Sequence, residues 1–201
     1  MIRDNALAVS GLLSHKMYGP SVMPPQPEGI WQSTYNTTKW ETSKGEDRYR
    51  RGLYTFIKRT TPYPAMTTLD APSRELCTIR RITTNTPLQA LVTLNDPAYI
   101  EAAQALARRM VHQTSSRRRE DLVAKGIELA LSRPAQPNEV AALMKLFESR
   151  RAYYAAHPDE ALQFATDPLG PLPEGRDAAD LAALTAVGNV ILNLDEFVTR
   201  N

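Results

Sequence analysis

The residues best suited to chemistry lie in one short stretch, DAPSRELCTIRRITTNTPLQALVTLNDP, from Asp70 to Pro97. It holds Asp70, Arg74, Glu75, Arg80, Arg81 and Asn85, together with Cys77, the single cysteine of the chain. Arginine forks suit planar oxyanions bidentately, so one reading of the cluster is an anion or carboxylate site. The other is local scaffold. In a helix over residues 72–81, Arg74 and Arg81 would lie near one face, Asp70 would cap the start, and Glu75 and Arg80 would sit toward the ends that favour their charges. Cys77 could act as a nucleophile only with a base in reach. His15, His112 and His157 are the only histidines, and none stands in a recognisable catalytic-thiol motif. A buried, inert thiol is therefore expected. The histidines show no clustering and no i, i+4 pairing, so no zinc site is expected.

A second candidate is aromatic. Trp31, Tyr35 and Trp40 are interleaved with Asn36, Thr37, Thr38 and Lys39. Such residues can stack on sugar rings or seat a partner peptide, and they can equally pack a loop onto the core. The carboxylate pairs Glu46-Asp47 and Asp195-Glu196 are adjacent, and adjacency does not set the separation that paired acid and base groups need. Surface charge or helix capping accounts for them. A GxxxxGK[ST] phosphate loop is absent.

Composition narrows the class further. The 201 residues are 42% apolar and 23% charged, with a formal charge of +2. That is the balance of a globular protein with a core, and a nucleic-acid module would carry a stronger basic excess. Arg50-Arg51, Arg80-Arg81, Arg108-Arg109 and the run Arg117-Arg118-Arg119 are scattered, as expected of solvated helix faces and ends. The lone cysteine allows no intrachain disulfide and leaves the redox compartment open. No apolar run reaches the roughly 18 residues of a membrane span. The opening MIRDNALAVSGLL lacks the charge bias and cleavage site of a signal peptide, and Ile2, Ala6, Val9 and Leu13 fit one face of an amphipathic helix.

The elements that must position these groups fall into three regions of one expected domain: 1–64, 65–112 and 113–201. The first continues from its helix into an irregular belt, Gly19 to about Pro64, rich in proline and aromatic residues. Tyr54 to Lys58 fits a short strand or a helical turn. In the second, Thr86-Pro87-Leu88-Gln89 is a capping box with proline at the first helical position. Asp96-Pro97 repeats the signal, opening a helix with Ile100, Ala103, Ala107 and Met110 inward. The third is a helical tail. Val123, Ile127, Ala130 and Leu131 share a face before Pro134, and Pro137 opens a helix with Val140, Leu143, Met144, Phe147 and Tyr154 inward. After DPLGPLPEG, Asp177 can cap a last helix carrying Leu181, Leu184, Val187, Ile191 and Leu194. The fold class is mostly α: an irregular multi-helix domain, with an aromatic and Pro-rich loop region and a C-terminal helical hairpin or three-helix tail.

The strings GEDRYRRGLYTFIKRT, DAPSRELCTIRRITTNTPLQALVTLNDP, LALSRPAQPNE and VILNLDEFVTR closely resemble a planctomycete-type domain, domain of unknown function 1553. The resemblance covers nearly the whole chain. It implies a module at the C-terminal end of long exported proteins that also carry cytochrome-c-like domains and a second planctomycete-specific domain. On that basis the location is periplasmic or extracellular, and c-type haem belongs to the neighbouring domains, since this chain has no CxxCH and no cofactor is expected in it. The opening residues look like the interior of the family's domain, so an N-terminally truncated copy is expected. Two functions follow. One is a non-catalytic interaction or scaffold module that docks onto the neighbouring domains or a partner protein. The other is part of an enzyme acting on extracellular polysaccharide or peptide, or a carbohydrate-binding module, with the Asp70 to Arg81 charges supplied to a cleft.

Overall fold

Gly11 ends the first helix, α1 (Ile2–Ser10), in the left-handed region at φ 82°, and its N–H closes onto the Ala8 carbonyl. Ala6, Leu7 and Val9 of this helix are buried. Leu13, expected on the same face, lies past the glycine, and Leu7 takes the inward position. The structure, a computed structural model, describes residues 1–30, 39–58, 60–72, 77–79, 84–116 and 118–199.

The irregular region follows as predicted. Among the described residues it holds two 3-10 turns, Gly45–Tyr49 and Gly52–Tyr54, and two isolated parallel bridges, Ser14 with Arg50 and Val22 with Thr55. The Tyr54 to Lys58 segment thus begins as the end of a turn, joins the bridge at Thr55 and has no regular structure over 56–58. The short helix α2 (Pro64–Thr68) closes the region.

Two proline-led helices come next, α3 (Pro87–Asn95) and α4 (Pro97–Gln113). Both caps form as the residues dictate. Thr86 Oγ1 accepts the Gln89 N–H at 3.3 Å while Gln89 Oε1 accepts the Thr86 N–H at 3.0 Å. Asp96 Oδ1 accepts the Ala98 N–H at 2.9 Å. The predicted stripe on α4 is too narrow. Ile100 is half-buried, whereas Ala98, Tyr99, Ala102, Ala103, Leu106, Ala107 and Met110 are buried, so α4 is enclosed on several sides. Its alanines have no bulk to hold neighbours away, and α1 packs on it.

The tail comprises α5 (Arg119–Leu131), α6 (Pro137–Ala156), α7 (Pro158–Thr166), α8 (Ala178–Ile191) and α9 (Asp195–Thr199). Asp177 caps α8 as expected, its carboxylate accepting the Asp180 N–H at 3.2 Å. Helix α8 packs against α4, α6 and α7. A Cβ at Gly188 would stand 3.0 Å from the Ala103 carbonyl oxygen, so a glycine is what lets α8 approach the α4 backbone. Helix α7 was not anticipated, although Pro158 with Asp159 and Glu160 in its first turn is a start signal. It is pinned by α4, where buried Gln104 donates from Nε2 to the carbonyls of Phe164 and Asp167, both at 2.7 Å. No helix among the described residues is long and apolar enough to cross a membrane.

Candidate functional site

Asp70 stands at φ 57°, a conformation that aspartate tolerates better than most residues. From there its Oδ2 accepts the Thr84 N–H at 2.8 Å, the Thr84 hydroxyl at 2.7 Å and Gln89 Nε2 at 3.0 Å. The Thr84 hydroxyl and then its backbone N–H hold this carboxyl below its ordinary range. Gln89, itself buried, also donates to the Thr68 carbonyl at 3.0 Å, so the cluster ties the end of α2 to the start of α3. Asn85 donates to Asp195 on α9, and Thr93 on α3 bonds Asn193 in the α8–α9 connection. The central motif is thereby fastened to the C-terminal end of the chain.

Two expectations for this stretch are corrected. Asp70 does not cap a helix over residues 72–81: its carboxylate is taken by Thr84 and Gln89, and residues 71–72 and 77–79 are non-helical. Cys77 is exposed, not buried, and Ile79 beside it is fully exposed. A chain segment outside regular structure here presents even its apolar side chains to water. Arg74, Glu75, Arg80 and Arg81 lie outside the described residues.

Trp31 and Tyr35 of the aromatic candidate also lie outside the described residues. Trp40 stacks on buried Tyr63 with ring centroids 5.7 Å apart, and its Nε1 donates to the Pro24 carbonyl at 3.0 Å. The Tyr63 hydroxyl donates to the Pro25 carbonyl at 2.7 Å. These two rings therefore hold the Pro-rich segment in place, the loop-packing reading of the aromatic region.

Of the arginine pairs, Arg50, Arg108 and Arg109 are not merely solvated. Arg50 is 1% exposed, and its guanidinium reaches the carbonyls of Lys16, Tyr18 and Pro20. Arg3 donates to the carbonyls of Arg50 at 2.8 Å and Arg48 at 3.1 Å. Arg108 holds those of Ala165, Gly170 and Pro171, and Arg109 holds that of Val9 at 2.6 Å. The physical reason is general. Long segments outside regular structure leave backbone carbonyls without ladder partners, and a fork of several N–H donors satisfies two or three of them at once.

Sequence reasoning missed a buried charge network where α1, the Gly45–Tyr49 turn and α4 meet. Glu101, 3% exposed, takes Arg48 as a bidentate partner, with Arg48 Nε 2.9 Å from Oε2. The hydrogen bond to Glu101 raises the Arg48 pKa. Burial, then the Glu101 carboxylate, pushes the Tyr49 hydroxyl up. Glu101 sits in the middle of an otherwise alanine-rich helix face, and that misplaced charge was the available signal. Asp96 belongs to the same region, and burial pushes its carboxyl up to about 6.

The sign of that effect fixes a pH dependence. The native carboxyl binds its proton more tightly than the unfolded one, whose ordinary value is 3.8, so stability rises as pH falls from about 6 toward 4. The difference corresponds to about 3 kcal/mol. Glu139, held near 2 by Arg133, acts in the opposite sense: its contribution is present above its ordinary 4.5 and is lost as pH falls below that. Urea unfolding across this range is expected to show greater stability near pH 5 than near pH 7. Asp96→Asn keeps the cap and should flatten that rise, while an unchanged profile in this variant would assign the rise to another group.

These observations define a helical domain whose irregular loops are held by buried guanidinium groups and whose central motif is fastened to the C-terminal segment at Asn193 and Asp195. Among the described residues no His, Cys, Asp or Glu side chains group as metal ligands. The chain belongs to the PSD1 family, described as proteins of unknown function (DUF1553), whose model matches residues 1–147. No curated protein and no solved structure matches it.

Proposed function

We propose that this domain is a non-catalytic interaction module within an exported, multidomain protein that also carries cytochrome-c-like domains, and that it docks onto one of those neighbouring domains. The observation that carries this reading is the contrast within the central motif. Its Asp70 and Asn85 are hydrogen-bonded inside the chain, while Leu88 and Leu91, three residues apart on α3, are 60% and 58% exposed. Leucines at i and i+3 lie on one side of a helix, the arrangement by which a helix offers an apolar stripe to a partner. The family resemblance supplies the occupant: the domain works beside cytochrome-c-like and planctomycete-specific domains, in the periplasm or outside the cell. Electron transfer belongs to the haem-bearing neighbours.

The test adds the neighbouring domains of a family member in trans. Association at micromolar concentration is expected, with a loss of at least about tenfold in the double variant Leu88→Asp, Leu91→Asp, whose two positions are exposed and whose unfolding midpoint should stay near that of the parent. Failure of any neighbouring domain to associate, or association untouched by the double variant, would refute docking through α3.

A further inference from the structure

A pocket of about 260 Å³ opens between the last turn of α4, the first turns of α5 and α8, and the middle of α6. Its apolar wall is Val111, Leu122, Phe147, Leu181 and Leu184, and its polar lining is Arg119, Arg176 and Asp180. The carboxylates around it are already engaged. Asp180 takes Arg119 Nη2 at 3.2 Å and also Arg151 Nε. Glu148 lies 3.6 Å from Arg119 Nη1, and Asp177 caps α8. The Arg119 guanidinium in turn lies over the Phe147 ring, 5.4 Å from its centre.

Arg176 differs from the arginines described above. It is half-buried and lines the pocket, its backbone N–H is fixed on the Pro173 carbonyl at 3.2 Å, and among the described residues its guanidinium has no hydrogen bond or ion pair. The N-terminal ends of two long helices, α5 and α8, face the same space and add partial positive charge. The lining is thus an available fork beside an apolar wall, with carboxylates close enough to penalise a multiply charged anion.

We propose that this pocket binds a small organic monocarboxylate, its carboxylate on Arg176 and an apolar body of about ten non-hydrogen atoms against Phe147, Leu181 and Leu184. The same chemistry is offered by a free acid and by the C-terminal carboxylate of a chain ending in an apolar residue. Val111, Arg119, Leu122 and Phe147 lie within the family match, and Arg176, Asp180, Leu181 and Leu184 lie beyond it.

The experiment titrates the full chain by ligand-observed NMR with benzoate and 4-methylpentanoate for the free acid, and N-acetyl-leucine for the chain end. Benzamide, N-acetyl-leucinamide and inorganic phosphate are the controls. At least one acid is expected to bind with a Kd on the order of 1 mM, as suits a ligand of this size. The amides should bind at least about tenfold more weakly, phosphate likewise, and Arg176→Gln should weaken the acid by about tenfold or more while leaving the unfolding midpoint in place. Preference among the acids identifies the source. Absence of saturable binding to about 20 mM, equal binding of acid and amide, equal binding of phosphate, or binding indifferent to Arg176→Gln would each overturn the proposal.

Discussion

Arg48→Ala is expected to cost the protein about 3 to 5 kcal/mol, the range for stranding one partner of a buried ion pair. The weight falls on Glu101, whose side chain is 4% exposed and sits on α4, the helix that α1, α3, α5 and α8 all pack against. Without Arg48 that carboxylate has neither water nor its bidentate partner, and the low-dielectric surroundings that strengthened the pair now penalise the lone charge. Glu101→Ala should cost less, because the Arg48 side chain is 23% exposed and can turn its fork to solvent. Replacing both by leucine should recover most of the loss, since apolar pairs commonly match buried ion pairs. Urea denaturation of the four proteins at pH 7 reads the order directly. If Glu101→Ala were the more damaging single variant, the fork and not the carboxylate would be the group that depends on the pair.

Arg50→Ala should be comparably severe, at about 3 kcal/mol or more, because hydrogen bonds to charged groups are worth about 1.5 to 3 kcal/mol each. The Arg50 guanidinium holds the Tyr18 carbonyl, the Pro20 carbonyl at 3.0 Å and the Lys16 carbonyl at 3.4 Å, and lies 3.7 Å from the centre of the Tyr54 ring. Those carbonyls belong to the segment between α1 and the Val22 bridge, which has no helix or sheet of its own to hold it. The variant should therefore expose residues 15–21 to proteolysis before the helical body unfolds. Arg50→Lys should rescue little, since a single ammonium cannot span three carbonyls as a planar fork does. Limited proteolysis with mass spectrometry, together with thermal unfolding, checks both points. A lysine variant indistinguishable from the parent would mean that one positive charge, and not the fork, secures the segment.

The helical part of this protein was legible because its signals are local. Proline at the first helical position, the Thr86 and Gln89 capping box, Asp96 and Asp177 as caps, and apolar residues at helical spacing all act within one or two turns, and each produced the element it announces. Family membership was legible for a related reason, because the strings that carry the resemblance are continuous in the chain. The site residues were less readable. Asp70 stood out by its place in the motif, but its partners, Thr84 and Gln89, lie 14 and 19 positions further on, and spacing does not disclose that they meet it. Cys77 was misjudged because residue type predicts burial only on average, and a segment outside regular structure follows no such average.

The sequence alone therefore determined the starts of α3, α4, α6 and α8, the mostly α class and the family, because capping and periodicity are encoded by residues close to one another. Only the tertiary structure decided what the charges do. Arg48 meets Glu101 across 53 positions, Asn85 meets Asp195 across 110, and Arg109 reaches the Val9 carbonyl across 100. An arginine that clamps a distant carbonyl and one that waves in solvent are the same letter, and the difference lies in which backbone the fold brings to it.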